Sequence, residues 1–353
     1  MKIIQVMPFF GLGGAEIMCE NLVYELKKMG HEVIVVSLYN KQTPITERFD
    51  KAEIDIRYLD KKDGFDISIF NKLRNLFKQE NPDVVHTHIY TTKYVFPIAA
   101  QLKIRVVHTV HSIATKEMSK TSRKLNKFFY KHFDVTPVAL SEAVKKTIIE
   151  EYRLAPQNVP VILNGIDLEK CKQKTHYDVD NVFRIVHVGS FLEVKNHVGL
   201  IAAFEIFNKQ HPNSELHLIG DGERRKQIEQ MVFEKGLSAC VKFYGLQSNV
   251  HLYLSDMDVF TLPSLYEGIP MSIVEAMGTG LPIVATCVGG IPDMLDSNCA
   301  ILVQAEVNDI ANAFETYYLD CIIREKHGTA VLKLSNRFSA KTMAQNYIAA
   351  YKN

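Results

Sequence analysis

The chain of 353 residues has a formal net charge of +1 at pH 7, and 23% of its residues are charged and 47% hydrophobic. This composition is that of an ordinary globular protein, and the length suits two α/β domains of ~150–200 residues each. No apolar run approaches ~18 residues, which excludes a membrane-spanning helix, and a net charge so close to zero argues neither for nor against nucleic-acid binding.

The first half of the chain alternates between apolar runs that are typical of strands and patterns that are typical of helices. Lys2–Phe9 is predicted to be the first strand rather than a signal peptide, and a helix near Ala15–Met29 follows, which Gly30 ends. Further strands are predicted at EVIVVSL, IDIRYL, DVVHTH, RVVHTV and DVTPVAL. Such alternation predicts a parallel sheet that is covered by helices on both faces.

The middle of the chain is predicted to join two domains. The run NVPVILNGID at 158–167 is interpreted as a strand, and the polar, aperiodic residues 168–181 as an interdomain linker. A second alternating series continues through FRIVHVGSF, ELHLIGDG, VKFYG, DVFTLP, LPIVAT and AILVQ. We therefore predict an N-terminal domain at 1–167, a C-terminal domain at 182–338 and a final helix within 339–353.

Glycine-rich turns follow several of the predicted strands. Open parallel sheets bind ligands at the carboxyl ends of their strands, so these turns are candidate sites. Gly13 and Gly14 would let a diphosphate rest against the start of the first helix, although a plain turn is an equally good interpretation. Leu218–Glu223 and Phe243–Leu246 are similar turns, but their pattern is too common to carry a prediction alone.

Four histidines lie near the ends of two consecutive predicted strands, namely His86, His88, His108 and His111. A metal site is one interpretation, but no Cys, Asp or Glu in either motif completes a ligand set. His86 and His88 share one side of their strand, and a structural or acceptor-side role is preferred for them. Asp256 and Asp258 have a D-x-D spacing, but they precede a strand and so lie at its amino end, away from the expected crevice.

Lys116–Phe133 carries six Lys or Arg residues against one acid, with four aromatic residues interleaved. The pattern predicts a basic amphipathic helix, and such a helix can lie on anionic lipid with each cation contributing ~1 kcal/mol. A solvated surface helix is the alternative. Nucleic acid is not an expected partner, because no recognised binding module accompanies the segment.

The stretch from Asp258 to Met294 organises the second half of the chain. A buried strand is predicted before Pro263 and a short helix from Pro270, with Glu267 on the loop between them. Glu275 follows about one and a half turns into that helix, at ~3.6 residues per turn, so both carboxylates are expected beside one crevice. The free amides at the helix N-terminus attract phosphate; they belong to Gly268, Ile269, Met271 and Ser272. A phosphate site beside two acids indicates a nucleotide sugar.

Glu267 and Glu275 have seven residues between them, and Ala276-Met277, Gly280-Leu281-Pro282 and Gly289-Gly290 follow. This run resembles the signature of the retaining glycosyltransferases of family 4, the group 1 glycosyl transferases. The resemblance covers nearly the whole chain. It implies a GT-B fold, in which two Rossmann-like parallel-sheet domains face a central cleft and the C-terminal helix crosses back to the first domain.

The resemblance also implies roles for residues in the matching motifs. Gly14 would lie near the donor phosphates, and Lys195 would stabilise the leaving diphosphate. His111 would hydrogen-bond a hydroxyl of the donor sugar and steady charge near its anomeric centre. Glu275 would hold the ribose hydroxyls, and Glu267 would bind the hydroxyls of the donor sugar.

The chain departs from the family after the predicted strand FRIVHV. The family often has an arginine beside the glycine that corresponds to Gly189, whereas this chain has Ser190. Both residues are still expected in the donor site. The departure removes one cation, so Lys195 and the helix amides would carry more of the leaving-group stabilisation.

Together these matches predict a glycosyltransferase that moves a sugar from a UDP-sugar or GDP-sugar to an acceptor hydroxyl, with retention and without a metal or cofactor. The acceptor is expected to be a glycan or lipid-linked glycan in cell-surface polysaccharide or glycolipid biosynthesis. Six scattered cysteines favour a reducing cytoplasm, and the basic segment favours the inner face of the cell membrane. Two alternatives stay open: a nucleotide-sugar epimerase of the same fold, and a non-catalytic nucleotide-binding partner subunit of a glycosyltransferase.

Overall fold

The computed structural model describes residues 1–247 and 249–352. The side chain of Lys116, in the predicted basic helix, and Asn353, in the predicted final helix, lie outside the described residues. The strands are β1 (Lys2–Met7), β2 (Glu32–Ser37), β3 (Asp55–Tyr58), β4 (Val84–His88), β5 (Arg105–Val110), β6 (Val135–Ala139), β7 (Phe183–Val188), β8 (Ser214–Ile219), β9 (Val241–Gly245), β10 (Val259–Leu262), β11 (Ile283–Thr286) and β12 (Ile301–Val303).

Helices separate most of these strands. The α-helices are α1 (Gly14–Lys28), α2 (Pro44–Lys51), α3 (Ser68–Glu80), α4 (Thr92–Leu102), α5 (Ala114–Glu117), α6 (Lys120–His132), α7 (Glu142–Tyr152), α8 (His197–Gln210), α9 (Arg225–Glu234), α10 (His251–Leu254), α11 (Met271–Thr279), α12 (Ile291–Met294), α13 (Val307–Leu319), α14 (Cys321–Ser335) and α15 (Ala340–Lys352). Short 3₁₀ turns lie at Ile89–Thr91, Pro156–Asn158, Leu168–Lys170, Glu193–Lys195 and Asn336–Phe338.

The chain divides into two compact units. Unit 1 contains Met1–Gly165 together with α15, and unit 2 contains Ile166–Ser339. Each unit has its own six-stranded sheet, with the order β3-β2-β1-β4-β5-β6 in unit 1 and β12-β11-β10-β7-β8-β9 in unit 2. The paired strands are parallel. The prediction of two parallel sheets is confirmed.

The sheet of unit 1 is buried on both faces because its strands are apolar along their length. In β1, Ile4 and Val6 pack on one side in a core that includes residues of α3, α4, α6 and α7. Ile3 and Met7 pack on the other side with residues of α1, α2 and α15. Successive side chains of a strand point to opposite faces, so this alternation places β1 at the centre of a covered sheet.

The strand order of each sheet reverses at one position. In unit 1 the reversal lies between β1 and β4, where Ile4 pairs with Val85, and in unit 2 between β7 and β10, where Ile185 pairs with Val259. The loops that follow the two strands at such a position run to opposite faces of the sheet, which leaves a crevice between them at the carboxyl ends of the strands. The loops after β1, β4, β7 and β10 therefore begin at these crevices.

The predicted strand at 158–167 is wrong. Pro156–Asn158 forms a 3₁₀ turn, and Val161 makes only an isolated bridge with Ala139 of the edge strand β6. Pro160 has no N–H to donate to a strand ladder, and its carbonyl accepts from the N–H of Ala139 instead. The segment is therefore an irregular connection beside the edge of the sheet.

Residues 168–181, predicted to be a linker, belong to unit 2. Lys174 donates its backbone N–H to the carbonyl of Thr279 over 2.8 Å, and the Tyr177 hydroxyl donates to the carbonyl of Gly280 over 2.9 Å. Both contacts attach the segment to the end of α11. The boundary between the two units therefore lies before this segment.

The basic segment at 116–133 forms two helices rather than one. The helix α5 ends at Glu117 and α6 begins at Lys120. The Ser119 side chain caps α6 by accepting the N–H of Ser122 over 3.3 Å. A serine N-cap has extended backbone dihedrals, which interrupts the helical run.

The C-terminal helix α15 belongs to unit 1, which confirms what the family resemblance predicted. Its residues Met343, Ala344, Tyr347 and Tyr351 are almost completely buried in the same core as α1. Across the described part of the chain, no helix combines the length and the apolar character that crossing a membrane would need.

Candidate functional site

The loop after β7 and the loop after β10 are joined by two hydrogen bonds in unit 2. The carbonyl of Val194 accepts from the N–H of Leu265 over 2.8 Å, and Asn196 Nδ2 donates to the carbonyl of Pro263 over 3.1 Å. Asn196 has a φ of 55°, and its Oδ1 accepts from the N–H of Gly199 to cap α8. One asparagine therefore ends the first loop, starts the helix and fixes the second loop. Sequence reasoning missed this residue.

Lys195 and Glu267 form an ion pair between these two loops. The Lys195 Nζ lies 2.6 Å from Glu267 Oε1, which also accepts from the Ser264 hydroxyl over 2.6 Å. The two charged side chains are only 18% and 8% exposed, so solvent ions screen the pair weakly. The predicted phosphate-binding cation and the predicted sugar-binding acid are thus partners in the free protein, and a ligand at this place would share Lys195 with Glu267.

The loop before α11 and the first turn of this helix present backbone amides that have no partner among the described residues. Pro270 is the N-cap residue and supplies no side-chain hydrogen bond. The free amides belong to the predicted residues Gly268, Ile269, Met271 and Ser272. A helix N-terminus with free N–H groups carries a partial positive charge, so this turn favours an anion.

The turn with Gly289 and Gly290 packs directly against the same loop. The N–H of Gly290 donates to the carbonyl of Gly268 over 3.1 Å and to that of Glu267 over 3.3 Å. Gly289 has a φ of 56°, and a Cβ atom there would lie 1.7 Å from the carbonyl oxygen of Glu267. Only glycine fits this position, which gives a physical reason for the glycine pair in the sequence signature.

Glu275 lies on α11 and is partly buried. Burial raises the pKa of its carboxyl group from 4.5 to about 7. Within the described residues, nothing donates a hydrogen bond to this carboxylate. Burial and then Glu275 raise the pKa of the Cys171 thiol, so the carboxylate faces the segment that contains Cys171. An unpartnered carboxylate is available to accept hydrogen bonds from ligand hydroxyls.

Gly189 and Ser190 begin the loop after β7, whose backbone packs against the loop after β8. The N–H of Phe191 donates to the carbonyl of Asp221 over 2.9 Å. Gly220 has a φ of 138°, and a Cβ atom there would lie 2.0 Å from the carbonyl oxygen of Gly189. The second glycine turn therefore has a packing role that its common sequence pattern did not reveal.

His111 lies after β5 in unit 1 and is held at its backbone and at its ring. Its N–H donates to Glu117 Oε1 over 2.8 Å, and its ring Nε2 lies 3.1 Å from His88 Nδ1. Burial lowers the pKa of His111 to about 3 and raises the pKa of Glu117 to about 8. The imidazole is therefore neutral at pH 7. A neutral ring suits the predicted hydrogen bond to a sugar hydroxyl, but not the predicted steadying of charge. Sequence reasoning missed Glu117.

His86 and His88 are completely buried in unit 1. The two ring nitrogens of His86 contact the Tyr351 and Thr109 hydroxyls, each over 2.8 Å. His88 Nε2 lies 2.9 Å from the side-chain oxygen of Gln5. Because neither histidine exposes an atom to solvent, the structure favours the structural interpretation over direct contact with an acceptor.

Gly14 is the first residue of α1, and Gly13 is its N-cap residue. The carboxylate of Glu16 lies over this turn, because a Cβ atom at Gly13 would be only 2.6 Å from Glu16 Oε2. Burial raises the pKa of Glu16. A phosphate at the predicted position near Gly14 would share this helix end with a carboxylate of the protein itself.

No group of three or more His, Cys, Asp or Glu residues in the described part of the chain could hold a metal ion. In the D-x-D sequence, Asp258 directly precedes β10. Its Oδ2 accepts from the N–H of Arg184 over 2.8 Å, and its Oδ1 lies 3.4 Å from Lys174 Nζ. The pair with Asp256 therefore lies at the amino end of the strand, as the sequence indicated.

The basic surface of α6 is smaller than the sequence predicted. Arg123 lies 3.4 Å from a carboxylate oxygen of Glu151, and Lys127 donates to the carbonyl of that residue over 3.2 Å. These two cations therefore attach α6 to α7. The exposed lysines and phenylalanines of α6 and its C-cap, which we call the α6 surface, are Lys120, Lys124, Phe128, Lys131 and Phe133.

Comparison with known proteins covers both units. The model of Glycosyltransferase Family 4 matches residues 12–170, and the model of Glycosyl transferases group 1 matches residues 171–332. The UDP-Gal:alpha-D-GlcNAc-diphosphoundecaprenol alpha-1,3-galactosyltransferase of Escherichia coli is 31% identical over 271 residues, which are 69% of this chain and 68% of that protein. The chain belongs to glycosyltransferase family 4. The predicted family is therefore confirmed. The protein is a glycosyltransferase.

Other similarities agree with this family 4 assignment. The capsular polysaccharide biosynthesis glycosyltransferase CapH of Staphylococcus aureus is 26% identical over 287 residues, covering 78% of each chain. The crystal structure of Anabaena HepE in complex with UDP and glucose matches with a TM-score of 0.85 and 19% identity, covering 100% of this chain and 99% of that one. At this identity the match shows the fold alone, which is the predicted GT-B fold.

Proposed function

We propose that this family 4 enzyme transfers a sugar from a nucleoside diphosphate sugar to a hydroxyl of a glycan or lipid-linked glycan, with retention of the anomeric configuration and without a metal ion or cofactor. The observation that carries the proposal is the Lys195–Glu267 ion pair, which joins the loop after β7 to the loop that leads into α11, where the amides have no partner among the described residues. A diphosphate requires cations and N–H donors, and a sugar requires a carboxylate that accepts from its hydroxyls.

The nucleotide part of the donor is assigned to unit 2. Glu275 accepts from the ribose hydroxyls, because its carboxylate has no partner among the described residues. Lys195 and the α11 amides bind the diphosphate, with Gly189 and Ser190 beside it. Uridine is the favoured base, because the E. coli relative is named for UDP-Gal and HepE was crystallised with UDP and with UDP-glucose. A GDP-sugar is the second candidate.

Three residues are assigned to the donor sugar and the remaining phosphate contact. Glu267 accepts hydrogen bonds from sugar hydroxyls through the carboxylate that already holds Lys195. His111, as a neutral imidazole, hydrogen-bonds a further hydroxyl. Gly14, at the start of α1, is assigned to the donor phosphates. In this contact the phosphates would lie beside the carboxylate of Glu16, which covers the same turn.

The chemistry requires stabilisation of the leaving group more than it requires a protein base. The bond between the anomeric carbon and the diphosphate oxygen breaks while a bond to the acceptor oxygen forms, and the acceptor proton passes to the departing phosphate. Lys195 and the α11 dipole stabilise the charge that develops on the diphosphate. Because Ser190 replaces an arginine of the family pattern, Lys195 carries more of this stabilisation here.

The acceptor is proposed to be lipid-linked, as part of polysaccharide or glycolipid biosynthesis in the cytoplasm. Support comes from the diphosphoundecaprenol in the name of the E. coli relative and from the capsular pathway in the name of CapH. The α6 surface combines three lysines with two exposed phenylalanines, which suits the boundary of an anionic bilayer. We therefore place the enzyme peripherally on the inner face of the cell membrane.

Incubation of the full-length protein with a panel of UDP-sugars and GDP-sugars tests the proposal. The correct donor raises the melting temperature and is slowly hydrolysed to free sugar and nucleoside diphosphate. Binding without any hydrolysis or transfer favours the partner-subunit alternative, and interconversion of donors favours the epimerase. Lys195→Met should abolish the release of diphosphate, whereas Lys209→Met, a matched change at an exposed lysine of α8, should not.

Co-sedimentation with vesicles that contain anionic lipid tests the membrane proposal separately. Replacing the three lysines of the α6 surface by glutamine should reduce pelleting by roughly 100-fold, because each cation contributes ~1 kcal/mol. The matched control replaces three exposed lysines of unit 2, namely Lys209, Lys226 and Lys333. Equal pelleting of the two triple variants would contradict a role for α6.

A further inference from the structure

A chain of buried polar side chains leads from the C-terminal helix to His111. Gln5 on β1 donates its Nε2–H to the Tyr351 hydroxyl over 3.2 Å, and its Oε1 lies 2.9 Å from His88 Nε2. His88 Nδ1 lies 3.1 Å from His111 Nε2. Gln5, His88 and Tyr351 are at most 2% exposed, so water cannot substitute for any partner in the chain. All four residues belong to unit 1.

The direction of each hydrogen bond follows from the groups themselves. An amide oxygen only accepts, so His88 Nε2 must carry the proton that faces Gln5. Burial lowers the pKa of His88 well below its ordinary value, so the ring is neutral and its Nδ1 has a lone pair. That lone pair can accept only from a protonated Nε2 of His111. A neutral His111 with a proton on Nε2 has none on Nδ1.

The hydrogen bonds at the other end of the Gln5 amide are consistent with the same orientation, in which Nε2 faces Tyr351. The Tyr351 hydroxyl accepts from Gln5 and donates its own proton to His86 Nδ1 over 2.8 Å. His86 then carries its proton on Nε2, which donates to the Thr109 hydroxyl over 2.8 Å. Each buried donor in this series meets an acceptor. Rotation of the Gln5 amide by 180° would require every proton in the series to move.

We propose that Tyr351, Gln5 and His88 are positioning residues that hold His111 in the tautomer with the proton on Nε2, so that His111 presents Nδ1 to its ligand as a hydrogen-bond acceptor. The assignment of His111 to a sugar hydroxyl rests on the proposed function. Its consequence is a requirement on the ligand: the group that meets His111 must donate a hydrogen bond. A hydroxyl satisfies this requirement, whereas a fluorine or a methoxy group at the same ring position does not.

The tautomer is measured directly on the free full-length protein by long-range ¹H–¹⁵N correlation spectra of the histidine rings. The wild type should show His111 protonated at Nε2 in a single form. Gln5→Leu removes the acceptor that orients His88, and Tyr351→Phe removes the group that orients Gln5. Both variants should give a mixture of His111 tautomers. Their kcat should fall by about twofold to tenfold with an unchanged KM for the acceptor, in proportion to the fraction of molecules that no longer present Nδ1 as an acceptor.

Tyr94→Phe is the matched control, because Tyr94 also lies in unit 1, is completely buried, and its hydroxyl accepts from the N–H of Asp66, outside this series. It should keep the wild-type tautomer and the wild-type kcat. A wild-type His111 protonated at Nδ1 would overturn the proposal, and so would an unchanged His111 tautomer in folded Gln5→Leu. The spectra need no donor, so a failure of the proposed transferase activity leaves this result interpretable. A wrong tautomer in an active enzyme would refute the positioning chain alone.

Discussion

Glu267 carries two functions on one oxygen atom, because Oε1 contacts both Lys195 and Ser264. Lys195→Met would leave an almost buried carboxylate with a single hydroxyl partner. We expect a loss of about 2 kcal/mol in the free energy of unfolding at pH 7, measured by urea denaturation. Glu267→Gln should cost less, because an amide oxygen still accepts from Ser264 and the exposed fraction of Lys195 lets its ammonium group reach water.

The double variant Lys195→Met/Glu267→Gln should be more stable than the sum of the two single losses indicates, because neither charge is then left unpaired. Additive losses would mean that the pair contributes nothing to the fold. All three variants should lose at least about 100-fold in kcat, since the leaving-group cation or its anchor is gone.

The burial of the Glu275 carboxylate, which we assign to ligand binding, lowers the stability of the fold. Its carboxyl group has a pKa of about 7 in the folded protein against an ordinary 4.5. The folded state therefore holds the proton more tightly than the unfolded state, and the wild type loses stability as the pH rises from about 4.5 to about 7. Glu275→Gln removes this loss. The free energy of unfolding of this variant should exceed that of the wild type by about 3 kcal/mol at pH 8 and by almost nothing at pH 4.

Urea denaturation of both proteins at the two pH values measures this difference. The same variant should bind UDP at least about tenfold more weakly, because one acceptor for the ribose hydroxyls is lost. A stability gain that is equal at both pH values would show that titration of Glu275 is not its source.

The residues that the sequence revealed at this scale are those whose chemistry is local. Glu267, Glu275 and the α11 amides are readable because one loop and one helix turn carry them all. Asn196 and Gln5 are not readable, because their meaning depends on partners that are 67 and 346 residues away. An isolated asparagine or glutamine in a strand or loop has no pattern until the fold brings its partner to it.

Among the elements, α11 and its loop depend on a glycine turn rather than on a side chain. Gly289→Ala would place a Cβ atom 1.7 Å from the Glu267 carbonyl, at a φ that alanine disfavours. We expect a loss of about 3 kcal/mol in the free energy of unfolding, together with loss of UDP binding, because the loop with Glu267 must move. Chemical denaturation and calorimetric titration with UDP measure the two effects.

Gly236→Ala is the control, because Gly236 has a similar φ of 71° but nothing within 4 Å of an added Cβ atom. This substitution should lower the free energy of unfolding by only about 1 kcal/mol, because of backbone strain, and should leave UDP binding unchanged. Equal effects of the two substitutions would show that the close approach to Glu267 does not matter.

The elements that were predicted correctly are those with a strong periodic pattern. The strands of the two sheets are continuous apolar runs, so their existence followed from the sequence. The two wrong predictions have different causes. The apolar residues at 158–167 have the pattern of a strand, but Pro160 has no N–H for a strand ladder. Residues 168–181 attach to unit 2 through backbone and tyrosine hydrogen bonds, which leave no apolar periodicity to detect.

At the scale of the whole molecule, each unit has its own hydrophobic core. Tyr347 lies in the core of unit 1 and Phe314 in that of unit 2, and both are completely buried. Truncation of either residue to alanine should lower the free energy of unfolding by about 3–4 kcal/mol. In differential scanning calorimetry, each variant should lower the melting temperature of a different transition.

UDP, which the proposed function assigns to unit 2, should raise the transition that Phe314→Ala lowers. In the Tyr347→Ala variant, UDP should likewise raise the melting temperature of the unit 2 transition and leave the unit 1 transition unchanged. If both variants lower one shared transition equally, the two cores do not unfold separately.

The return of α15 to unit 1 has a consequence for biosynthesis. A ribosome produces the whole of unit 2 before α15 emerges, although α15 covers the face of β1 that carries Ile3 and Met7. During that interval the nascent unit 1 exposes apolar surface that chaperones recognise, and Gln5 lacks the Tyr351 hydroxyl. The polypeptide therefore completes the surroundings of His111 only once α15 has been synthesised, after the whole of unit 2.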